Sequence, residues 1–374
     1  MKICRLSRPP IQTLFNQFPQ TRDFLLNNME GAGHEVWEFP IKPVKIPNRY
    51  LSYGLGIPFA LFRFRKLRPD FILADNIESG VVALLIKSIF KTPFVFNFLD
   101  DYSLIASYDP WKLRYWGLKF FEKIVPRFAD LVIVVDSMKK GYCLDCRIPE
   151  SRLWMVPNGA DTHRFRPEPA DQTLRKRLGL KDGKMVLFVG KINRYYKLDI
   201  LLRAVPAVLS KAPETQFLMV GDGDASGDLK ELCKRLGIEH SVIFTGFRPP
   251  EEIPRIINLS DLCVFSLPDS SALVIFEYMA CAKAVVLPNG GTQKMGIPRE
   301  MIPEECAVQV GHSSEGFSQG ILYLLNHEEA AKKIGEKARE LAVRSFDWTL
   351  LAESYLKALV DVLAEKGQLR PKSE

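Results

Sequence analysis

Val156–Asp161, which reads Val-Pro-Asn-Gly-Ala-Asp, is the stretch that decides the fold, and Phe165 and Pro167 follow it. The pair Asn158 and Gly159, with a proline before it, is a strong turn signal. On each side of this turn the chain alternates apolar runs of strand length with helical patterns, which indicates parallel sheets covered by helices. The turn therefore joins two doubly wound domains. Ligands bind in the cleft between such domains, so we assign Asn158 and Gly159 to the hinge that lines it.

Apolar runs of strand length predict six strands in each half of the chain. In the first half they are Ile3–Leu6, Val36–Phe39, Phe71–Ala74, Phe94–Phe98, Leu131–Val135 and Trp154–Val156. In the second half they are Met185–Val189, Phe217–Val220, Val242–Thr245, Leu262–Ser266, Val285–Leu287 and Ala307–Val310. The helical patterns between them include Thr21–Met29, Ser79–Phe90, Ile200–Leu209, Leu229–Leu236, Glu251–Asn258, Val274–Cys281 and Glu328–Val343. The pattern as a whole predicts an α/β protein.

Changes in composition suggest where the domains begin and end. We expect a first domain over 1–160 and a second over 183–345, joined by a linker over 161–182 that is charged, polar and proline-bearing. A last helix is predicted over 346–365, with Asp347 at its start, and residues 366–374 are expected to form a tail.

The composition fits a folded cytoplasmic protein. The chain has 374 residues, of which 47% are hydrophobic, and its net charge of +7 suits a polyanionic ligand or an anionic membrane surface. The charge excess is small and no nucleic-acid-binding motif is present, so we exclude nucleic acid as a partner. Seven irregularly spaced cysteines are typical of a reducing compartment. The start of the chain reads as a strand rather than a signal peptide, and its longest apolar run, Val81–Ile86, is too short to span a bilayer.

A basic loop follows the first strand of the second half. Gly190 and Lys191 end that strand, and Arg194 and Lys197 come shortly after them. Positive charges at a strand end would clamp a diphosphate and neutralise charge on a leaving group. The alternative is a solvated basic loop with no ligand.

A glycine-rich turn follows the next strand. Gly221 and Gly223 in this turn are candidates for close backbone approach to a ligand, but any tight strand-to-helix turn has this appearance. Asp222 and Asp224 are equally compatible with capping the helix that comes next.

The segment Ser266–Cys281 gives the sharpest signal, because a polar loop leads into an apolar helix that carries one acid. Free N–H groups of Ala272, Leu273 and Val274 at the helix start would bind phosphate oxygens. Glu277 needs a partner such as sugar hydroxyls if it is buried. The alternative is that Glu277 faces solvent or pairs with a lysine.

These motifs resemble those of family 4 glycosyltransferases with the GT-B fold. Asp269 and Glu277 stand eight residues apart, as the paired acids of that family do. The strings Phe244–Phe247 and Gly290–Gly291 also occur in the family's order, and the similarity covers roughly 150–350. The resemblance implies two Rossmann-like doubly wound domains that face each other across a cleft, with the last helix packing back on the first. It implies that a nucleotide-diphosphate sugar binds the second domain. No Asp-x-Asp motif follows a strand in a metal-binding context, so we expect that no metal or other cofactor is required.

The resemblance also assigns roles in the second domain. Glu277 holds the nucleotide ribose, Asp269 faces the donor sugar, and Lys191 and Lys197 grip the diphosphate. Phe247 and Arg248 lie near the base. The predicted donor-binding residues are Gly190, Lys191, Arg194, Lys197, Gly221, Gly223, Phe247, Arg248, Asp269, Ala272, Leu273, Val274 and Glu277.

Several positions depart from the family pattern. Lys191 stands where arginine is usual, which keeps the charge and loses the bidentate fork. Asp269 is one methylene shorter than the usual glutamate, and Ala272 replaces a glycine. These departures leave the donor sugar open more than the reaction class.

The acceptor is expected to bind the first domain. Asp100 lies at a strand end in Phe98–Tyr102, where the family often has a histidine followed by an aspartate. No histidine is available there, so Asp100 is the candidate for orienting or deprotonating the acceptor hydroxyl. The alternative is a helix cap or a solvated turn. Asp100, Asp269, Lys191 and Lys197 form the predicted catalytic set.

Two segments of the first half combine basic and aromatic residues. They are 51–67, and 111–128 with Lys119, Lys123, Trp116 and Phe120 at helical spacing. This combination suits a peripheral contact with the inner face of a membrane. The alternative is an ordinary helix with a core face and a solvated basic face.

We therefore predict a retaining hexosyltransferase that uses a nucleotide-diphosphate sugar and a glycan or lipid-linked acceptor, in polysaccharide or glycolipid biosynthesis. Two alternatives stay open. One is a nucleotide-sugar epimerase of the same architecture, and the other is a degenerate, non-catalytic protein that binds a nucleotide sugar.

Overall fold

The computed structural model of the chain describes residues 2–7, 29–31, 33–40, 61–62, 64–99, 112–267, 272–289 and 301–365. They form two compact units. The first contains the described residues up to Pro157 together with those from Leu351 onward, and the second contains Asn158–Leu350.

The first unit is built on a parallel sheet of six strands in the order β2-β1-β3-β4-β5-β6. The strands are β1 (Lys2–Ser7), β2 (Glu35–Pro40), β3 (Phe71–Ala74), β4 (Phe94–Phe98), β5 (Leu131–Val134) and β6 (Leu153–Met155). Its helices with both ends in the described ranges before residue 157 include α1 (Ile77–Phe90), α2 (Lys112–Phe128) and α3 (Ser137–Asp145). Every residue of β3, β4 and β5 is buried, as expected for strands of a parallel sheet covered on both faces.

The second unit repeats this design with the strand order β12-β11-β10-β7-β8-β9. Its strands are β7 (Met185–Val189), β8 (Gln216–Val220), β9 (Val242–Gly246), β10 (Leu262–Val264), β11 (Ala284–Pro288) and β12 (Val308–Val310). Its helices are α4 (Gln172–Arg177), α5 (Leu198–Leu209), α6 (Ser226–Leu236), α7 (Ile253–Leu259), α8 (Leu273–Ala280), α9 (Ser314–Asn326) and α10 (Glu328–Ser345). The strand order reverses between β7 and β10, and such a switch point is where ligands bind in open α/β sheets.

Each of the twelve predicted strands is present, with limits that differ by no more than two residues. The α/β prediction with two parallel sheets is therefore confirmed. The apolar runs identified the strands because parallel strands buried on both faces read as continuous apolar sequence.

The last helix, α11 (Trp348–Glu365), contributes to the first unit from Leu351 onward. Its fully buried Tyr355 donates a hydrogen bond from its hydroxyl to Oδ1 of Asn97 at 2.8 Å. Asn97 in turn donates to Asp75 at 2.7 Å, and Arg5 donates to the other oxygen of Asp75 at 2.5 Å. This network joins α11 to β1, β4 and the end of β3.

The segment 161–182 differs from the expected linker. Helix α4 lies within it, and Leu174, Leu178 and Leu180 are buried in the core of the second unit. Asp171 caps α4 by accepting a hydrogen bond from the N–H of Leu174 at 2.9 Å. The segment is therefore structured chain of the second unit, and its polar composition reflects an exposed face.

Candidate functional site

Glycines follow strands β7 and β8 at the edge of the second sheet where its strand order reverses, and their backbones lie against each other. Gly190, directly after β7, donates to the carbonyl of Val220 at 3.0 Å, and Gly221, directly after β8, donates to the carbonyl of Gly246 at 3.0 Å. Gly221 has a φ of +130°, and a Cβ there would overlap the carbonyl oxygen of Gly190. A Cβ on Gly223 would overlap the carbonyl oxygen of Ile192 in the same way. These glycines are therefore required for the two loops to pack backbone against backbone.

Asp222 serves the turn itself. Its Oδ1 accepts hydrogen bonds from the N–H of Gly223 at 2.8 Å and from the hydroxyl of Ser226 at 2.9 Å. Ser226 is the first residue of α6, so the contact stabilises the start of this helix. The start of α6 has no side-chain cap at Ala225, and the carboxylate of Asp222 accepts from the turn and from a hydroxyl, so both roles left open for this acid stay predictions.

The basic loop leads from β7 into α5. Lys197 precedes the first turn of α5 in the left-handed region, with φ 52°, a conformation that costs energy for any residue except glycine. Arg194 pairs with Asp228 at 3.1 Å, and both side chains are largely exposed. An exposed pair of this kind is worth little and is readily exchanged for a ligand anion. The loop thus places the cations of Arg194 and Lys197 within a few residues of the switch point, with Lys191 at the strand end.

Helix α8 begins at the other side of the switch point. Ala272 is the residue before its first turn, with extended backbone, and no described side chain caps the helix there. The N–H groups of Leu273 and Val274 therefore have no acceptor within the described part of the chain. An uncapped helix start carries partial positive charge and donors for an anion.

Glu277 is the fifth residue of α8 and is only partly exposed. Its carboxylate makes no hydrogen bond or ion pair with any residue that the structure describes. Burial raises the pKa of Glu277 from 4.5 to about 7, and the positive charge of Arg164 opposes part of that rise. A desolvated carboxylate without hydrogen-bond partners is costly, so this group is suited to accepting hydrogen bonds from a ligand.

Sequence reasoning missed Arg164, which follows the interdomain stretch. Oδ1 of Asp161 accepts hydrogen bonds from the N–H groups of His163 at 3.1 Å and Arg164 at 3.0 Å. The side chain of Arg164 then donates from Nη2 to the carbonyl of Pro250 in the loop after β9. The only signal in the sequence was an arginine three residues after the turn acid, which does not reveal a partner 86 residues away.

The loop after β9 carries the predicted base contacts. Phe247 and Arg248 are both partly buried. Nη1 of Arg248 lies 3.9 Å from Oε2 of Glu252, whose Oε1 accepts from Arg177 at 2.5 Å. The loop is therefore held by the contacts of Glu252 with Arg248 and Arg177, and by the hydrogen bond from Arg164 to Pro250.

Several predicted site residues cannot be placed relative to these groups. Asp100, Asp269 and the Gly290–Gly291 pair lie outside the described residues, so their roles stay predictions. The hinge assignment of Asn158 and Gly159 also stays a prediction. Within the described ranges, no three histidine, cysteine or acidic side chains come together as a metal site.

The cysteines are structural where the structure describes them. All seven are buried free thiols. The pKa of Cys143 is raised from 9.0 to about 12, chiefly by burial, with smaller effects from Cys146 and Glu122, which raise it, and from Lys139, which lowers it. A thiol with a raised pKa is a poor nucleophile, so the Cys143-x-x-Cys146 spacing has no redox character in this structure.

Known proteins resemble both halves of the chain. Residues 170–341 match the family described as Glycosyl transferases group 1, and residues 18–164 match Glycosyltransferase Family 4. The D-inositol 3-phosphate glycosyltransferase of Corynebacterium jeikeium strain K411 is 30% identical, over 87% of this chain and 81% of that protein. The GDP-mannose-dependent alpha-(1-6)-phosphatidylinositol monomannoside mannosyltransferase of Mycolicibacterium smegmatis is 27% identical, over 59% of each chain.

Solved structures show the same fold. Anabaena Alr3699/HepE in complex with UDP and glucose superposes with a TM-score of 0.76, at 20% identity, over 96% of this chain and 99% of that one. The GT-B architecture expected from the motifs is therefore confirmed, as is the expectation of an enzyme that transfers glycosyl groups. Because its two halves match these families and a relative of 30% identity aligns along most of its length, the chain belongs to glycosyltransferase family 4.

Proposed function

We propose that the protein transfers a hexose, with retention of configuration, from a nucleotide-diphosphate sugar bound by the second unit to an acceptor hydroxyl. The observation that carries this proposal is the carboxylate of Glu277. It has no hydrogen-bond partner among the described residues, and it lies in the helix that starts at the switch point. Two adjacent ribose hydroxyls supply the two donors that such a carboxylate lacks.

The remaining groups at this edge fit a diphosphate. The start of α8, which no described side chain caps, offers N–H donors, and the loop with Lys191, Arg194 and Lys197 offers cations. In the reaction a diphosphate departs as the bond to the sugar breaks, and preorganised donors and cations stabilise the charge that develops on it. We assign Asp269 to the donor sugar and Asp100 to the acceptor hydroxyl on the resemblance alone.

The relatives differ in the nucleotide that their names give. One is named for GDP-mannose, and another was solved with UDP and glucose. We therefore leave the base open and propose that the loop with Phe247 and Arg248 selects it. The names of two relatives refer to inositol phosphate and to a phosphatidylinositol mannoside, which favours a glycan or lipid-linked polyol acceptor.

A transfer assay tests this function. The protein is incubated with radiolabelled UDP- and GDP-hexoses, with and without an extract of membrane lipids and glycans, and release of nucleotide diphosphate is followed beside the Glu277→Gln variant. Release that requires the extract and fails in the variant supports the proposal, and NMR of the product gives its anomeric configuration. A changed sugar without the extract would indicate the epimerase, and binding without any turnover would indicate the non-catalytic protein.

We further propose that α2 binds an anionic membrane surface and that the protein reaches its acceptor there. Large side chains on this helix are open to solvent, with exposed fractions of 62% for Trp116, 60% for Phe120 and 54% for Phe128. Lys119 lies 5.4 Å from the Trp116 ring centre, and Lys123 is exposed beside them. Exposed aromatic residues among cations are typical of helices that lie in the headgroup region.

This arrangement differs from an ordinary domain helix, whose apolar face would be buried. The buried residues of α2 include Val125 and the acid Glu122, while the aromatic residues point to solvent. Ile89 at the end of α1 and Phe62 are further exposed apolar side chains of the same unit. Residues 51–60, 63 and 111 of the two predicted segments lie outside the described part of the chain, and Phe64 is a core residue. No helix in the described ranges is long and apolar enough to cross a membrane.

Cosedimentation with vesicles tests the contact. We expect binding to vesicles of phosphatidylglycerol and phosphatidylcholine, and a loss of at least tenfold in the Trp116→Ser, Phe120→Ser double variant. Leu350→Ser, at an exposed apolar residue of the second unit, is the matched control. Equal binding of the double variant, or no binding by the wild type, would exclude this surface.

A further inference from the structure

We propose that Arg164 is a positioning residue of the donor site, which holds the loop after β9 and supplies the positive charge that faces Glu277. The inference rests on the proposed function, because it assumes that Glu277 binds the donor ribose. It adds a residue that neither the motif pattern nor the similarity to known proteins assigns.

Arg164 is fixed at its backbone and at its side chain. The carboxylate of Asp161 accepts its N–H at 3.0 Å, and its guanidinium carbon lies 5.3 Å from the ring centre of Phe165. From there Nη2 reaches the carbonyl of Pro250, two residues after Arg248. One side chain thus connects the turn after the interdomain stretch to the loop predicted to hold the base.

The same turn is tied to α8. Nη1 of Arg339, on α10, donates to the carbonyl of Phe165 at 3.2 Å and also to the carbonyl of Ala280, the last residue of α8. Arg164 therefore has a fixed position relative to the helix that carries Glu277. A change of its side chain is expected to affect ribose and base contacts together.

The charges around Glu277 make Arg164 important. Tyr278 on α8 and Cys281 directly after the helix are buried groups whose pKa values are raised, so both stay protonated and neutral. Arg339 approaches from α10, but its field acts on Cys281. Arg164 is the cation that lowers the pKa of Glu277 against burial. Without it, more of Glu277 would be protonated at neutral pH. A protonated carboxyl has no charge and one of its oxygens carries a donor, so it accepts more weakly from two hydroxyls than a carboxylate does.

Donor affinity as a function of pH tests this role. Dissociation constants of UDP- and GDP-hexoses are measured by calorimetry from pH 6 to pH 9.5 for wild type, Arg164→Met, Arg164→Lys and the control Arg166→Met. Arg166 is an exposed neighbour paired with Glu168 at 2.9 Å. We expect Arg164→Met to weaken binding about tenfold at pH 7 and to recover part of that loss at high pH. Arg164→Lys should keep the wild-type pH profile with weaker binding, and Arg166→Met should match wild type.

A second measurement tests the charge effect of Arg164 on Glu277 without any donor binding. The ¹³C-carboxyl signal of Glu277, assigned with Glu277→Gln, is titrated in folded wild type and Arg164→Met without any nucleotide. An upward shift of the midpoint in the variant supports the inference, and an unchanged midpoint overturns it. If wild type binds none of the nucleotide sugars while the midpoint still shifts, the proposed function fails and the electrostatic role of Arg164 stands.

Discussion

The hydroxyl oxygen of Tyr278 accepts a hydrogen bond from the backbone N–H of Val189 at 2.7 Å. Val189 is the last residue of β7, and Tyr278 is fully buried in α8. The contact fixes the helix that carries Glu277 against the strand that leads into the basic loop. Glu277 is partly exposed between the fully buried Phe276 and Tyr278.

Removing that hydroxyl should loosen the site without removing any of its proposed ligand contacts. Tyr278→Phe keeps the ring and leaves the N–H of Val189 without an acceptor in the core, which costs about 1–3 kcal/mol. We expect this loss in urea unfolding, with a severalfold weaker donor affinity. Tyr323→Phe, at an exposed tyrosine, is the control and should change neither. A fully stable Tyr278→Phe variant would show that the contact does not hold the helix.

Gly221 should tolerate no side chain. Gly221→Ala places a Cβ against the carbonyl of Gly190 at a φ that alanine rarely adopts, so we expect a loss of about 2 kcal/mol or more in urea unfolding. Gly227→Ala, near the start of α6, meets no atom within 4 Å and should stabilise the helix by about 0.5–1 kcal/mol. Similar effects of the two changes would contradict the packing of the two loops.

The stability of the protein should depend on pH through Glu277. Its pKa is raised from 4.5 to about 7, so the folded state holds a proton that the unfolded chain releases at lower pH. Stability is therefore lost as pH rises from about 4.5 to about 7 and is level above that range. Glu277→Gln removes this loss. We therefore expect the free energy of unfolding of the variant to exceed that of wild type by on the order of 2 kcal/mol at pH 8 and by much less at pH 5.

Urea unfolding at both pH values checks this, with Glu231→Gln as the control at an exposed acid of α6. A gain that is the same at pH 5 and pH 8 would mean that the carboxylate of Glu277 is not desolvated in the folded protein.

The contact between Tyr355 and Asn97 should hold α11 in the first unit. Tyr355→Phe removes the 2.8 Å hydrogen bond from a fully buried network, at a cost of about 1 kcal/mol. Hydrogen exchange should then quicken in α11 from Leu351 onward before it quickens in β4. Exchange that rises equally throughout the chain, or not at all, would rule out this local role.

The fold was predictable because its strands carry their own signal. Strands such as β4 and β5 are buried on both faces, so their sequences are almost entirely apolar, with Asn97 as the one polar residue in the two. Helix α4 gave no such signal. It has six residues, only Leu174 among them is buried, and the charged remainder resembles a linker.

The site was predictable only where a motif combines residues close in sequence. The helix start near Ala272 and the acid Glu277 could be identified together because they share one helix. Arg164 could not be linked to Pro250, nor Tyr355 to Asn97, because sequence alone gives no distance between segments 86 and 258 residues apart. Asp222 shows the opposite limit, since its cap and ligand roles differ only in which atom its carboxylate meets.

The most direct test of the account is calorimetric titration of UDP- and GDP-hexoses into wild type and Glu277→Gln at pH 8, where Glu277 of the wild type is ionised. We predict saturable binding of one of these nucleotide sugars to wild type and an affinity at least tenfold lower in the variant, whose fold is intact or more stable. Equal affinity in the two proteins would contradict the central claim that the carboxylate of Glu277 binds the donor.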